Sequence, residues 1–220
     1  MRSGEFRERL VSLAAGADIA LAAADVDQLE AYYQLLSRWN RRINLTALPL
    51  EPLDDAALAR LLIEPLAAAR YVPESRLKWV DVGSGGGSPA IPLKIVRPLA
   101  RLTLIEARIR KAAFLSEIVG RLGLTEVSVV NARFEDVAAR YDSARVAGLV
   151  TVRAVKADKA LFCAAEAVLQ PDGQLFLFGA QNHAPELVSS FGEVRRLQLL
   201  PAKSSTLFIL KRSTWNAESR

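Results

Sequence analysis

The clearest candidates for chemistry lie in Val80-Asp81-Val82-Gly83-Ser84-Gly85-Gly86-Gly87-Ser88-Pro89, where an acid stands two positions ahead of a glycine-rich turn. Glycine there lets the chain bend sharply and lets a ligand approach the backbone with no Cβ in its path. Pro89 suits the first turn of a following helix. A pyrophosphate site would want G-x-G-x-x-G at the helix N-terminus. Counted from Gly83, however, the sixth position is Ser88. The pattern is G-x-G-x-G, and it suits a nucleoside carrying an amino acid: Asp81 faces an ammonium group, while Gly83, Ser84, Gly85 and Ser88 cradle the neutral middle.

Glu106 closes a second apolar run, 25 residues beyond Asp81. An acid at a strand end can accept both ribose hydroxyls as a bidentate pair. Alone it reads equally well as a cap for the next helix; beside the glycine loop it points to a ribose. Asn131-Ala132-Arg133-Phe134-Glu135-Asp136 makes a further loop on the same edge, where ligands of open α/β sheets bind. Phe134 and Glu135 either flank a purine or supply a buried ring and a helix cap. Arg108, Arg110 and Lys111 open the helix after Glu106, where cations oppose the helix dipole. Contact with phosphate would account for that placement.

These residues need a scaffold that gathers several strand ends, and the hydrophobic pattern supplies it. LKWVDV (77–82), RLTLIE (101–106), VSVV (127–130), VAGLVTV (146–152) and QLFLFG (174–179) are short β-rich runs. Helix-length segments at 89–97, 109–122, 133–140 and 156–169 separate them. Such alternation implies βαβ units and a parallel sheet covered on both faces. EVRRLQLL (193–200) and STLFILK (205–211), joined by PAKS, predict a terminal antiparallel hairpin, the last two of seven strands.

Residues 1–75 read as helical instead. Over 28–44, Leu29, Tyr32, Tyr33, Leu36, Trp39 and Ile43 recur at threes and fours behind candidate caps Asp25 and Asp27. Residues 54–69 form a second Ala/Leu-rich helix with an expected kink at Pro65. The chain thus divides into a helical extension over 1–75 and a doubly wound α/β domain over 76–220.

The 220 residues, 51% hydrophobic and 24% charged, can bury a sizeable core. A single cysteine, Cys163, excludes a disulfide framework and a thiolate zinc cluster, and a single histidine, His183, excludes any mechanism needing a histidine pair. Cys163, within LFCAAEAVL, reads as packing on an apolar helix face, and His183 as an ordinary loop residue. No metal is expected. MRSGEFRERL has no apolar run and no stretch approaches a bilayer span, so a cytoplasmic chain without a membrane partner is expected. The net charge of +5 is concentrated in residues 81–160, which carry 13 basic and 8 acidic groups. That surplus suits a phosphate-rich partner.

Seven strands with a terminal hairpin, a G-x-G-x-G loop and a strand-end acid resemble the class I S-adenosylmethionine methyltransferases, a Rossmann-like fold. LLSRWNRRINLTAL (35–48), DVGSGGGSPAIPLKIVRP (81–98), EARIRKAAFLSEIVGRLGL (106–124), NARFED (131–136) and TVRAV (151–155) narrow the resemblance. They are similar to the small-subunit ribosomal RNA guanine-N7 methyltransferases, the glucose-inhibited division protein B family. The resemblance implies S-adenosylmethionine as methyl donor and 16S ribosomal RNA or the small ribosomal subunit as partner; a monomer is expected. It places donor contacts on Gly83, Ser88, Phe134, Glu135 and Arg153, with Glu106 on the ribose. RNA-facing cations fall on Arg110, Lys111, Arg133 and Arg153, beside Arg108.

Arg153, at the end of the fourth strand, becomes the candidate to organise donor and acceptor. No general base is expected, because guanine N7 attacks with an in-plane lone pair and loses no proton. The chain departs from the family where Arg-His-Phe-Leu-Asp-Ser-Leu is replaced by Arg60-Leu61-Leu62-Ile63-Glu64-Pro65-Leu66, and at Ala180, near which a lysine is usual. These changes spare the donor pocket and leave two other readings: the same fold with a different acceptor, or a non-catalytic ribosome-binding module with a vestigial pocket.

Overall fold

The computed structural model describes residues 3–140, 146–156, 158–179, 191–201 and 205–213. Its strands are β1 (Lys78–Val82), β2 (Arg101–Ile105), β3 (Val127–Val130), β4 (Ala147–Arg153), β5 (Leu169–Phe178), β6 (Phe191–Gln198) and β7 (Thr206–Arg212). They form one sheet in the order β3-β2-β1-β4-β5-β7-β6. The first five run parallel, and β7 enters antiparallel between β5 and β6. The order reverses between β1 and β4, so the connections leaving these two strands part to opposite faces. A crevice opens between their carboxyl ends, the place where open α/β sheets bind ligands.

The helices are α1 (Ser3–Gly16), α2 (Ala23–Asn40), α3 (Asp55–Leu58), α4 (Glu64–Ala68), α5 (Ala90–Val96), α6 (Ile109–Arg121), α7 (Phe134–Arg140) and α8 (Lys159–Val168). A π-helical turn, Ala59–Ile63, joins α3 to α4. Strand side chains alternate between faces. Trp79, Leu102, Leu104, Leu149 and Phe176 meet Phe6, Leu29, Leu62, Ile91 and Phe114 in one core, while Val80, Val82, Val150, Val152 and Leu175 meet Phe134, Val137, Leu161 and Phe162 in another. Helices α1 to α6 therefore cover one face and α7 and α8 the other. Residues before 76 share the first core with the sheet.

Local chemistry explains where elements begin and how they face. Asp25 Oδ2 accepts the Ala22 N–H at 3.3 Å, capping α2 five residues ahead of the expected start. Asp27 instead pairs with Arg7 at 2.6 Å. Helix α1 escaped the periodic reading because its buried strip is only Phe6, Leu10 and Ala14. Strand β5 starts at Leu169 rather than 174, its early residues passing through a register shift against β4. Cys163 requires a correction: it faces solvent. Helix α8 buries Leu161, Ala164, Ala165 and Val168 along one stripe with Phe162 beside it, and position 163 falls opposite. His183 and Ala180 lie outside the described residues.

Candidate functional site

A cleft of about 490 Å³ occupies the β1/β4 crevice. Its walls are Gly83, Ser84, Gly85, Gly86 and Ser88 after β1, Glu106, Arg108 and Lys111 after β2, and Arg153, Ala154 and Val155 at the end of β4. Arg60 and Leu61 from the π-helical turn, and Leu36 with residues 45–48, close the other side.

The glycine loop is left-handed at alternate positions, with φ of 67° at Gly83, 50° at Gly85 and 88° at Gly87. L-residues rarely adopt that region. At Gly83 a Cβ would also stand 2.6 Å from Val155 Cγ2. Side-chain donors fix the loop: the Tyr32 hydroxyl of α2 donates to Gly86 O at 2.7 Å, and the loop's own Ser84 Oγ donates to Asp81 O at 3.1 Å. Glu106 Oε2 accepts the Gly85 N–H at 2.9 Å and Oε1 accepts the Arg108 N–H at 2.7 Å. One acid thus ties the loop to the start of α6. Each of its oxygens keeps a second lone pair for a ligand hydroxyl.

Period two puts Asp81 on the same face as Trp79 and Thr151. The Thr151 hydroxyl donates to Asp81 Oδ1 at 2.5 Å and accepts from Trp79 Nε1 at 2.9 Å. Among the described residues Asp81 Oδ2 is buried with no hydrogen-bond partner. Burial pushes the Asp81 pKa up to about 6, against the hydroxyls of Thr151 and Ser84 and the charge of Arg153, which pull it down, while the charge of Glu106 adds to the rise. Asp81 does not itself line the cleft; its bare carboxylate oxygen lies behind the glycine loop, and a cationic group that reached it would both pair it and restore its ionisation.

Arg153 is fixed by an irregularity in the chain before the sheet. In the π-helical turn the Glu64 N–H reaches back to Ala59 O, passing over Arg60 O. Pro65 has no N–H to give Leu61 O. Both spared carbonyls are used: Arg153 Nη1 donates to Arg60 O at 2.6 Å, and Ser88 Oγ donates to Leu61 O at 2.8 Å. Arg153 Nη1 also reaches Ser88 Oγ at 3.0 Å, and Nη2 meets Glu64 Oε2 at 2.9 Å. Its guanidinium lies 4.8 Å from the Phe178 ring centroid. Desolvation lowers the Arg153 pKa to about 10, with Glu64 opposing. The expected kink at Pro65 is therefore the π-helical turn that precedes it.

The remaining candidates divide. Arg108 and Lys111 line the cleft; Arg110 and Arg133 are exposed outside its lining. Among the described residues none of these four cations has an ion-pair partner. The Phe134 ring, 5% exposed, packs in the second core, Glu135 faces solvent, and neither lines the cleft. The ring is held there because Val137 and Ala138, one turn on, share its buried side.

Asn40, read from the sequence as part of a packed helix end, has a further role. Its Oδ1 accepts the N–H groups of Leu45 and Thr46 at 2.8 and 3.0 Å, and its Nδ2 donates to Thr46 O at 3.2 Å. One side chain thereby folds the segment that walls the cleft. The taste of asparagine for local backbone bonds was the available signal. Trp39 Nε1 donates to Glu117 Oε2 at 3.0 Å, locking α2 to α6.

Strand order, terminal antiparallel pair and cleft together define a class I methyltransferase fold. Solved structures share it at low identity. A precorrin-6Y C5,15-methyltransferase from Geobacter metallireducens superposes with TM-score 0.51 at 14% identity, over 67% of this chain and 85% of that one. A predicted O-methyltransferase from Agrobacterium tumefaciens gives 0.56 at 16%, over 70% and 82%.

Within that class the chain belongs to the rRNA small subunit methyltransferase G family, whose model matches residues 25–207. The ribosomal RNA small subunit methyltransferase G of Polynucleobacter asymbioticus is 36% identical over 174 residues, 76% of this chain and 75% of that protein. The proteins of that name from Neisseria meningitidis and Pseudomonas aeruginosa are 39% and 42% identical over 133 and 126 residues, 60% and 56% of this chain. Those two matches span 62% and 57% of the relatives' own length. No helix among the described residues is long and apolar enough to cross a membrane.

Proposed function

We propose that this chain transfers the methyl group of S-adenosylmethionine to N7 of a guanine in 16S ribosomal RNA. The observation that carries the reading is Asp81 Oδ2, buried behind the glycine loop with no hydrogen-bond partner among the described residues. Asp81 would hold the ammonium of the donor, Gly83, Ser84 and Gly85 its middle, and Glu106 its ribose diol. Bound there, the donor supplies an electrophilic methyl on a sulfonium.

The chain's own task is alignment. Guanine N7 attacks through a lone pair in the ring plane, so no side chain has to remove a proton. Holding the reacting atoms in line can contribute up to about 7–11 kcal/mol. Arg153 and Ser88, bonded to each other and to the π-helical turn, give the cleft a rigid wall for that purpose. Arg153 is the group we assign to positioning. Arg108, Arg110, Lys111 and Arg133 would form a basic lip for phosphates, and the loop before Phe134 and Glu135 would approach the adenine end by its backbone, since neither side chain lines the cleft. The target base must be presented unstacked. The partner is the small ribosomal subunit or its RNA, met in the cytoplasm by a single copy of the chain.

Calorimetric titration with S-adenosylmethionine and with NAD tests the cleft. Donor binding that Asp81→Ala abolishes is expected. Tight NAD binding without donor binding would overturn the proposal.

A further inference from the structure

Among the described residues the cleft wall carries Arg60, Arg108, Lys111 and Arg153 against one acid, Glu106. A sulfonium donor is itself cationic at sulfur, so such a wall opposes the group it has to hold. Glu64 lies just behind, 3% exposed and not part of the lining. Arg60 Nη1 donates to both its oxygens at 2.9 and 2.8 Å, and Arg153 Nη2 donates to Oε2 at 2.9 Å. Burying a carboxylate is costly even when it is paired. Geometry alone does not require this one, since Arg60 O, Ser88 Oγ and the Phe178 ring also fix Arg153. What Glu64 adds that they cannot is a negative charge against two arginines at the wall.

We infer that Glu64 sets the preference of the cleft for the cationic methyl donor over the demethylated product, by offsetting the charge of Arg60 and Arg153. This rests on the donor reading above. Methyl transfer turns the sulfonium into a neutral thioether. Adenine, ribose, ammonium and carboxylate are common to both molecules, so their contacts cancel in the ratio of affinities. The field of the wall at sulfur does not cancel. Glu64 therefore acts through Arg153 as a specificity-determining residue and touches neither ligand.

The test titrates the full chain with S-adenosylmethionine and with S-adenosylhomocysteine. Glu64→Gln should lower the donor-to-product affinity ratio about fivefold or more, as expected for loss of a unit charge near the site at an effective dielectric of about 20. Glu64→Asp, which keeps the charge, should retain most of the wild-type ratio. Arg60→Gln removes a positive charge from the same group and should move the ratio the opposite way, which keeps the inference testable if Glu64→Gln fails to fold. Equal losses for both ligands in Glu64→Gln, or a ratio unmoved in Arg60→Gln, would overturn the inference alone. A wild-type chain that binds neither ligand would overturn the donor reading and this inference with it.

Discussion

Asp81 is ionised at neutral pH only at a cost, because burial lifts its pKa from 3.8 to about 6. The folded chain therefore binds this proton more tightly than the unfolded chain does. Stability contributed by the protonated acid is lost as pH rises from about 4 to about 6 and is not recovered above that. Asp81→Asn removes this dependence. In melts followed across that range, the variant should gain on wild type by on the order of 3 kcal/mol as pH rises. Parallel curves would contradict the assignment. The placement of Asp81, Glu106 and the loop glycines around one crevice was legible in the sequence because it follows from local spacing and strand ends. The partners of Arg153 were not: Arg60, Glu64, Ser88 and Phe178 come from elements that only the fold brings together.

At the scale of elements, most strands and α5 to α8 could be read closely because short β-rich runs alternate with helix-length segments, as a sheet covered on both faces requires. Orientation around a helix was harder. LFCAAEAVL is apolar over most of its circumference, so its sequence does not say that Cys163 faces out. The π-helical turn has only Pro65 as a local sign, and the use of its spared carbonyls depends on Arg153 and Ser88 arriving from the sheet. Asn40 offers the sharpest test at this scale. Its three hydrogen bonds to the 45–46 backbone contribute about 0.5–1.5 kcal/mol each. Asn40→Ala should speed hydrogen exchange at the Leu45 and Thr46 amides and weaken donor binding several-fold while α2 persists. Unchanged exchange at those amides would show that the segment is held by other means.

Across the whole molecule, the helices before residue 76 and the sheet are bound by one core, in which Phe6, Leu10, Leu29 and Leu62 pack with Trp79, Leu102, Phe176 and Ile209. The division at 75 visible in the sequence is thus a change of secondary structure rather than of core. A chain beginning at residue 76 should expose this face and lose cooperative melting; a sharp transition in that fragment would contradict the shared core. The basic lip makes a second prediction at this scale. Affinity for ribosomal RNA should fall steeply with salt, and neutralising Arg108, Arg110, Lys111 and Arg133 together should flatten the log–log slope by roughly 0.7–0.9 per lost phosphate contact. An unchanged slope would place the RNA elsewhere.

The most direct measurement is methyl transfer from isotope-labelled S-adenosylmethionine to unmodified small ribosomal subunits and to their naked RNA, with the modified nucleoside identified by mass after digestion. Label is expected in 7-methylguanosine derived from 16S RNA, and its loss is expected in Asp81→Ala. Label in any other nucleoside, or none from a chain that binds the donor, would contradict the proposed function.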